Sequence, residues 1–422
     1  GDLLYPLWTG KLDKIYPPDN ANTWPWRVLV GETWTKHGAA VASSHKYFPG
    51  SFDRVPRNPC EKINSGYKAK EWQHWLFGLA PALLYGILPP SYWRNYCRLT
   101  HVVRLLHQRK ISAQALTAAY GIVLKFTYEF EELYYQRRAE RLHFVRQSIH
   151  TPTHLIQEVE RVGNPILYAQ WTMERMIGNL GREIRQHSNM YANLSKRGLF
   201  RAQQNALLAM DPTFGGSSSA DAANGPRGSV NVGGGYQLRP KIARTAGAVA
   251  AGDEEAALKA YLSSAPGHSF NEDTYNKQIF RVARLALPEG GQVARSRFRE
   301  NQRSRITRMV KIESELPEGF EIGEVLYYFQ YSVGDGEPST LAMVSVFGIP
   351  DREILQESFG TVWIARQGEA GIRVIRVQSI QSVVAMIPFP KTWGAPHEIE
   401  QRFAGSHFLY ERLGLGSGDG SS

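Results

Sequence analysis

The run GEVLYYFQYSV at 323–333, with TLAMVSVFGI at 340–349, GTVWIARQ at 360–367 and IRVIRVQSIQSVVAMIPF at 372–389 after it, decides the fold class. Each run is rich in Val, Ile, Tyr and Phe, which suit a pleated, half-buried surface, and each is bounded by Gly, Pro, Asp or Ser. Together they predict a small antiparallel β domain, barrel or sandwich, over 316–413. Earlier in the chain the period is different. From Lys70 to about Leu208 apolar residues recur at helical spacing: Trp72, Trp75, Leu76 and Leu79 before Pro81, then Tyr92, Tyr96, Leu99, Val103 and Leu106 after Pro89-Pro90. Ser112 reads as the N-cap of a long helix carrying Leu116, Tyr120, Val123, Leu124, Tyr128 and Leu133, taken as mainly core positions. The expected class is α+β: a mainly α-helical region over 1–212, then a disordered linker, then the β domain.

The segments between are read from composition. Residues 10–69 are rich in Pro, Gly, Asn and Trp with little periodicity, which predicts irregular structure packed on the helices. From 213 to 252 the chain is dominated by Gly, Ser and Ala, too little apolar surface to offset chain entropy, and is expected to be a linker. A short helix capped by Asp253 and a basic segment fill 253–315, and 414–422 reads as a disordered tail.

The 422 residues carry a formal net charge of +10 and are 42% hydrophobic, enough for real cores and for a polyanionic partner, most plausibly nucleic acid. Cys60 and Cys97 are far apart and lack companions at metal-ligand spacing, which argues against a disulfide framework and a zinc ribbon and for a reducing compartment. The longest apolar run, Trp75 to Leu88, is interrupted by Gly78, Pro81 and Gly86 and falls short of the ~20 residues that span a bilayer. No membrane partner is expected. The opening, Gly1 to Trp8, has no initiating Met and no leader pattern; the expectation is a piece of a longer protein.

Residues 141–198 concentrate groups that are costly to bury alone: His143, His150 and His154, a Trp-Thr-Met-Glu-Arg block at 171–175, and a Gly-rich, Arg-bearing sequel. His150, His154 and Glu158 have the i, i+4, i+8 spacing of an N/N/O metal face, though Pro152 favours a helix start that leaves His150 outside it. A structural role for these histidines is the plainer reading. Glu174 either pairs with Arg182 or Arg185 on a helix surface or serves as a ligand. GNLG at 178–181, with Arg182, Arg185, Lys196 and Arg197, either wraps a phosphate or merely permits close helix packing. A second basic cluster, including Arg295, Arg297, Arg299, Arg303 and Arg305, is either a phosphate-binding stripe or a solvated face.

Five stretches in order carry a family resemblance: PGSFDRVPRNPCEKINSGYKAKEWQHW (49–75), ILPPSYWRNYCRLTHVVRLLHQRKIS (87–112), FEELYYQRR (130–138), HTPTHLIQEVERVGNP (150–165) and WTMERMIGNLG (171–181). They resemble the C-terminal half of large eukaryotic DDE transposases of the CACTA-like and KDZ-like type, abundant in fungi and plants. The resemblance implies that 1–212 is the C-terminal part of an RNase H-like nuclease core, in which three carboxylates hold two Mg²⁺ or Mn²⁺ ions for in-line attack on a phosphodiester. It also implies transposon-end DNA as partner, a nuclear location, a homo-oligomer as a further expected partner, Glu174 as the helix-borne acid and Arg175 as a phosphate contact. The first two acids of such a core fall before the first residue of this chain, so the chain alone is expected not to cut DNA.

Rival readings remain. A degenerate or domesticated protein that binds nucleic acid or a protein without catalysis needs only the basic segment and the β domain. A metal-dependent hydrolase would centre on His150, His154 and Glu158. Phosphate-binding G-x-x-x-x-G-K-[ST], nucleophile-elbow G-x-S-x-G and H-E-x-x-H patterns are absent from the sequence.

Overall fold

The computed structural model describes residues 1–422 except 2, 65, 185–187, 212–225, 227, 243–245, 265–274, 277, 289–290, 301–304, 317–318, 333–337, 415–416 and 419–422. The helices begin where local chemistry lets them. Pro90 and Pro152 stand in the first turns of α2 (Pro90–Leu106) and α4 (Pro152–Val162), where a missing N–H costs nothing. The Ser112 side chain accepts from the Ala115 N–H and caps α3 (Ala113–Phe130). On α3, Leu116 and Val123 are buried as expected, whereas Tyr120, Leu124 and Tyr128 are exposed. The 10–69 segment is more regular than its composition suggests: α1 (Gly31–Ser43) buries Trp34, His37 and Val41, a helical spacing that the surrounding Gly and Pro conceal.

Between α1 and α2 a helical stretch widens into a π turn at Trp75–Leu79. Gly78 sits in it because an added Cβ would lie 2.9 Å from the Tyr410 ring. The fully buried Trp8, Trp26, Trp75 and Trp93 anchor the helical core. After α4 come α5 (Trp171–Glu183) and α6 (Met190–Met210); α6 buries no residue.

The strands form two main antiparallel systems. The larger sheet holds β1 (Gln237–Ile242), β2 (Val282–Ala286), β3 (Val293–Arg295), β4 (Met309–Glu313), β5 (Phe320–Tyr331), β6 (Ser339–Val346), β8 (Ile372–Arg376) and β9 (Ile380–Val383), and β7 (Ile364–Arg366) belongs elsewhere. Its main path runs β8–β6–β5–β2–β1, with β3 on β2, and β4 bridging β5 and β9. A bulge at Leu326 shifts register, since Met343 faces Tyr327 but Val344 faces Val325. Tyr327, Phe329, Tyr331, Leu341 and Met343 therefore point to one face, where α7 (Asp253–Ser264) covers them with Leu258 and Leu262. Val325, Tyr328 and Val344 point to the other, joining Leu238, Leu285, Val310 and Val383 in a second core. The sheet curls around that core, and the Tyr236 hydroxyl donates towards the carbonyls of Gln378 (3.1 Å) and Ile380 (2.9 Å).

The smaller sheet, in order β7–β11–β10, combines β7 with β10 (Ala385–Pro388) and β11 (Ser406–Tyr410). Ile364, Ala385, Ile387, Phe408 and Tyr410 share one hydrophobic core with the helical tryptophans. Apolar packing runs across both 252 and 316, since Val249 joins Leu258 in one core and the smaller sheet joins the helices in another. Within the expected linker, β1 pairs with β2 because Leu238 has a core to enter opposite Leu285. Part of the expected β domain completes the helical core. The expected basic segment, 253–315, supplies α7 and four further strands, β2 to β4 among them. A mixed fold of helices and antiparallel sheets is what the chain adopts.

Candidate nucleic-acid interface

Strand pairing brings together cations that the sequence keeps far apart. Arg239 on β1 lies opposite Arg284 on β2, and Arg284 lies opposite Arg295 on β3. Cross-strand neighbours have Cβ atoms about 5 Å apart, and like charges so placed repel. Leu238, Leu285 and Ala294 point into the curled core, so the alternation of the strands sends the three arginines to the opposite face. All three are half-buried, and none makes an ion pair among the described residues. Arg239 Nε is buried without a hydrogen-bond partner. Three aligned guanidinium groups without a carboxylate suit a row of phosphates, because each presents a planar fork of donors.

The rest of the basic segment divides by use. Arg299 is exposed, resting its guanidinium 5.3 Å from the Phe298 ring centroid, and Arg297 is exposed with Glu324 no nearer than 3.9 Å. Arg305 donates to the carbonyls of Asp53 (3.1 Å) and Gly50 (3.0 Å), and so ties the sheet to the helical region. Arg308 pairs with Glu324 at 2.5 Å and with Glu300, both nearly fully buried. Burial would lower the Arg308 pKa, but its bonds to these two carboxylates hold it above its ordinary value. Arg281 donates to the Ala248 carbonyl and covers the Tyr327 ring. Arg303 lies outside the described residues.

On α5 and α6 the picture is more open. Glu174 is exposed in the first turn of α5. Arg182, Lys196 and Arg197 are exposed and make no ion pair among the described residues, while Arg201 pairs with Glu183. Arg185 and the side chain of Arg175 lie outside the described residues. GNLG lies inside α5, where its N–H groups belong to the helix, and among the described residues nothing lies within 4 Å of a Cβ built on Gly178 or Gly181.

The histidines separate. His143 packs edge-on against Tyr16 and Phe144. His150 precedes α4, as Pro152 predicts, yet its Nε2 comes within 2.9 Å of His154 Nε2 on an exposed surface. Glu158 pairs with Arg161 instead of joining them. Among the described residues, no three His, Cys, Asp or Glu side chains converge where a metal ion would sit. Glu174 belongs to no such group among the described residues.

Sequence reading passed over several residues with strong environments. His74 sits between the Tyr410 hydroxyl and the Phe52 carbonyl, each at 2.8 Å, which places its proton on Nε2. Trp75 Nε1 donates to His37 Nε2 at 3.0 Å, leaving the His37 proton on Nδ1, on the side of the Leu83 carbonyl. Burial pulls both imidazoles down to about 4. Arg239 was hidden in a stretch whose composition spoke only of a linker. The one signal for it was Leu238-Arg239 beside Leu285 and Arg284, an alternation visible only once the strands are paired. Comparison of the chain with family models, curated proteins and solved structures finds no match.

Proposed function

We propose that this chain binds the phosphate backbone of DNA through the arginine row of Arg239, Arg284 and Arg295, as the C-terminal portion of a DDE-type transposase. The row carries the reading. Folding aligns three like charges with no carboxylate paired to them among the described residues, a repulsion that a polyanion relieves. Arg299, and on the helices Arg182, Lys196 and Arg197, extend the uncommitted positive charge, and Arg297 adds to it beyond its 3.9 Å pair with Glu324. The ordered motifs between 49 and 181 supply the transposase assignment, with an RNase H-like core, metal-dependent cleavage and strand transfer as activities of the whole protein, and a nuclear location following from the substrate.

Fluorescence anisotropy with a labelled 25-base-pair duplex, repeated across a salt series, tests the binding. Each phosphate contact contributes about 0.9 to the slope of log affinity against log salt, so Arg239→Gln/Arg284→Gln/Arg295→Gln should flatten it by roughly 2–3. An unchanged slope removes the row from the account. Lys196→Ala/Arg197→Ala measures the helical contribution in the same way.

A second reading, a non-catalytic nucleic-acid-binding protein, is favoured by the solvent-exposed Glu174, which belongs to no group of three metal-ligating side chains among the described residues. Nicking of supercoiled plasmid with Mg²⁺ or Mn²⁺ separates the two. Activity that disappears in Glu174→Gln with DNA binding intact supports the enzyme; binding with no nicking supports the second reading.

A further inference from the structure

A cavity of about 250 Å³ lies where the helical region meets the smaller sheet and β4. Arg104 reaches it from α2, Lys311 from β4 and Arg412 from beyond β11. The Arg104 guanidinium donates to the carbonyls of Phe77 (2.7 Å), Gly78 (3.1 Å) and Thr361 (2.6 Å) and meets no carboxylate among the described residues. Lys311 pairs with Glu411 at 3.0 Å, and Arg412 stands 3.4 Å from Asp53, which lies outside the lining. Counting Glu411 and Asp53, three cations face two carboxylates, and the Arg104 charge is the one left without an ion pair among the described residues.

Two further features describe an occupant. Phe320 and Trp363 form an apolar, aromatic part of the wall. Gln108 Oε1 is buried with no hydrogen-bond partner, an acceptor that awaits a donor. Pockets with aromatic walls and a few convergent polar groups, set between structural units, are the ordinary form of small-molecule sites.

We propose that this cavity binds a small phosphate monoester on a flat body that carries a hydrogen-bond donor, the chemistry of a nucleoside monophosphate. A monoester carries about −1.5 to −2 charge near neutral pH, more than a carboxylate, and so competes with Glu411 and Asp53 for Lys311 and Arg412. The phosphate lies against Lys311 and Arg412, the flat body against Phe320 and Trp363, and its donor meets Gln108. The same chemistry occurs in a free nucleotide and at the 5′-phosphorylated end of a DNA strand. The site is separate from the arginine row and does not depend on the reading given to it.

Isothermal titration of the full chain with adenosine monophosphate, adenosine and two trinucleotides, one 5′-phosphorylated and one 5′-hydroxyl, tests this. Adenosine monophosphate should bind and adenosine should not. Lys311→Met/Arg412→Met should weaken binding about tenfold or more, as loss of charge-assisted hydrogen bonds does. Leu413→Trp, which fills the cavity and keeps its charges, should abolish binding while the circular dichroism spectrum stays native. Binding confined to free mononucleotide names a small-molecule source; preference for the phosphorylated over the hydroxyl trinucleotide names a strand end. No binding of adenosine monophosphate at millimolar concentration, or equal binding by adenosine or by both variants, overturns the proposal.

Discussion

Arg308 stands between two buried carboxylates, Glu300 and Glu324, and Gln367 donates to the far oxygen of Glu324 at 2.6 Å. In sequence it is one arginine in a run of them, and nothing there separates it from Arg299. In the fold the two differ completely, because removing Arg308 leaves Glu300 and Glu324 buried with only Arg297, 3.9 Å from Glu324, as a cation. Arg308→Met should cost about 3–5 kcal/mol, whereas Arg299→Met, at an exposed position, should stay within about 0.5 kcal/mol; urea unfolding midpoints of the two variants check this. His37 and His74 set the acid side of stability. Their folded pKa values, about 4, lie below the ordinary 6.5 because burial disfavours the charged ring. Above pH 6.5 both states hold neutral rings and nothing is lost. As pH falls from 6.5 through 4 the unfolded chain takes up protons that the fold refuses, so stability drops, by at most about 3 kcal/mol for each ring. The unfolding midpoint should fall across that window, and His74→Gln should flatten part of the fall.

At the scale of elements, what could be read in sequence depended on how local the cause was. The cap at Ser112, the proline starts of α2 and α4, and the strands at 320–331 and 339–346 each follow from a few neighbouring residues. The strand β1 does not, since Gln237–Ile242 follows a Gly-rich stretch and owes its conformation to pairing with residues 40 or more positions away. The same distance hid the candidate interface. Arg295 was visible as a member of a basic cluster, but a row needs registration across three strands, and registration is a product of the core beneath them. The exposed apolar residues of α5 and α6 mark the opposite failure. Met173, Ile177, Tyr191, Phe200 and Met210 have the composition of a buried helix pair, yet they face solvent in the isolated chain. Composition predicts that a surface will be covered without saying which molecule covers it.

At the scale of the whole molecule, the helical region does not own its core. Ile364, Ile387, Trp393, Phe408 and Tyr410 are buried among the tryptophans of the first hundred residues, although more than 250 positions separate them. Polar groups cross the same junction: His74 meets Tyr410, His101 Nδ1 meets the Phe359 carbonyl at 2.7 Å, and Arg104 donates to Thr361. Burying five large apolar side chains at about 1.5–3 kcal/mol each gives roughly 7–15 kcal/mol, as much as the entire stability of an ordinary domain. Losing that part of the chain would also take one hydrogen-bond partner each from His74, His101 and Arg104. A chain ending at residue 212, the boundary that composition suggests, should therefore show helical far-ultraviolet dichroism with no fixed near-ultraviolet signal and no cooperative thermal transition. The full chain should recover both the near-ultraviolet signal of its buried tryptophans and a sharp transition. A sharp transition with a native near-ultraviolet spectrum from residues 1–212 alone would mean that the helices hold together without the smaller sheet.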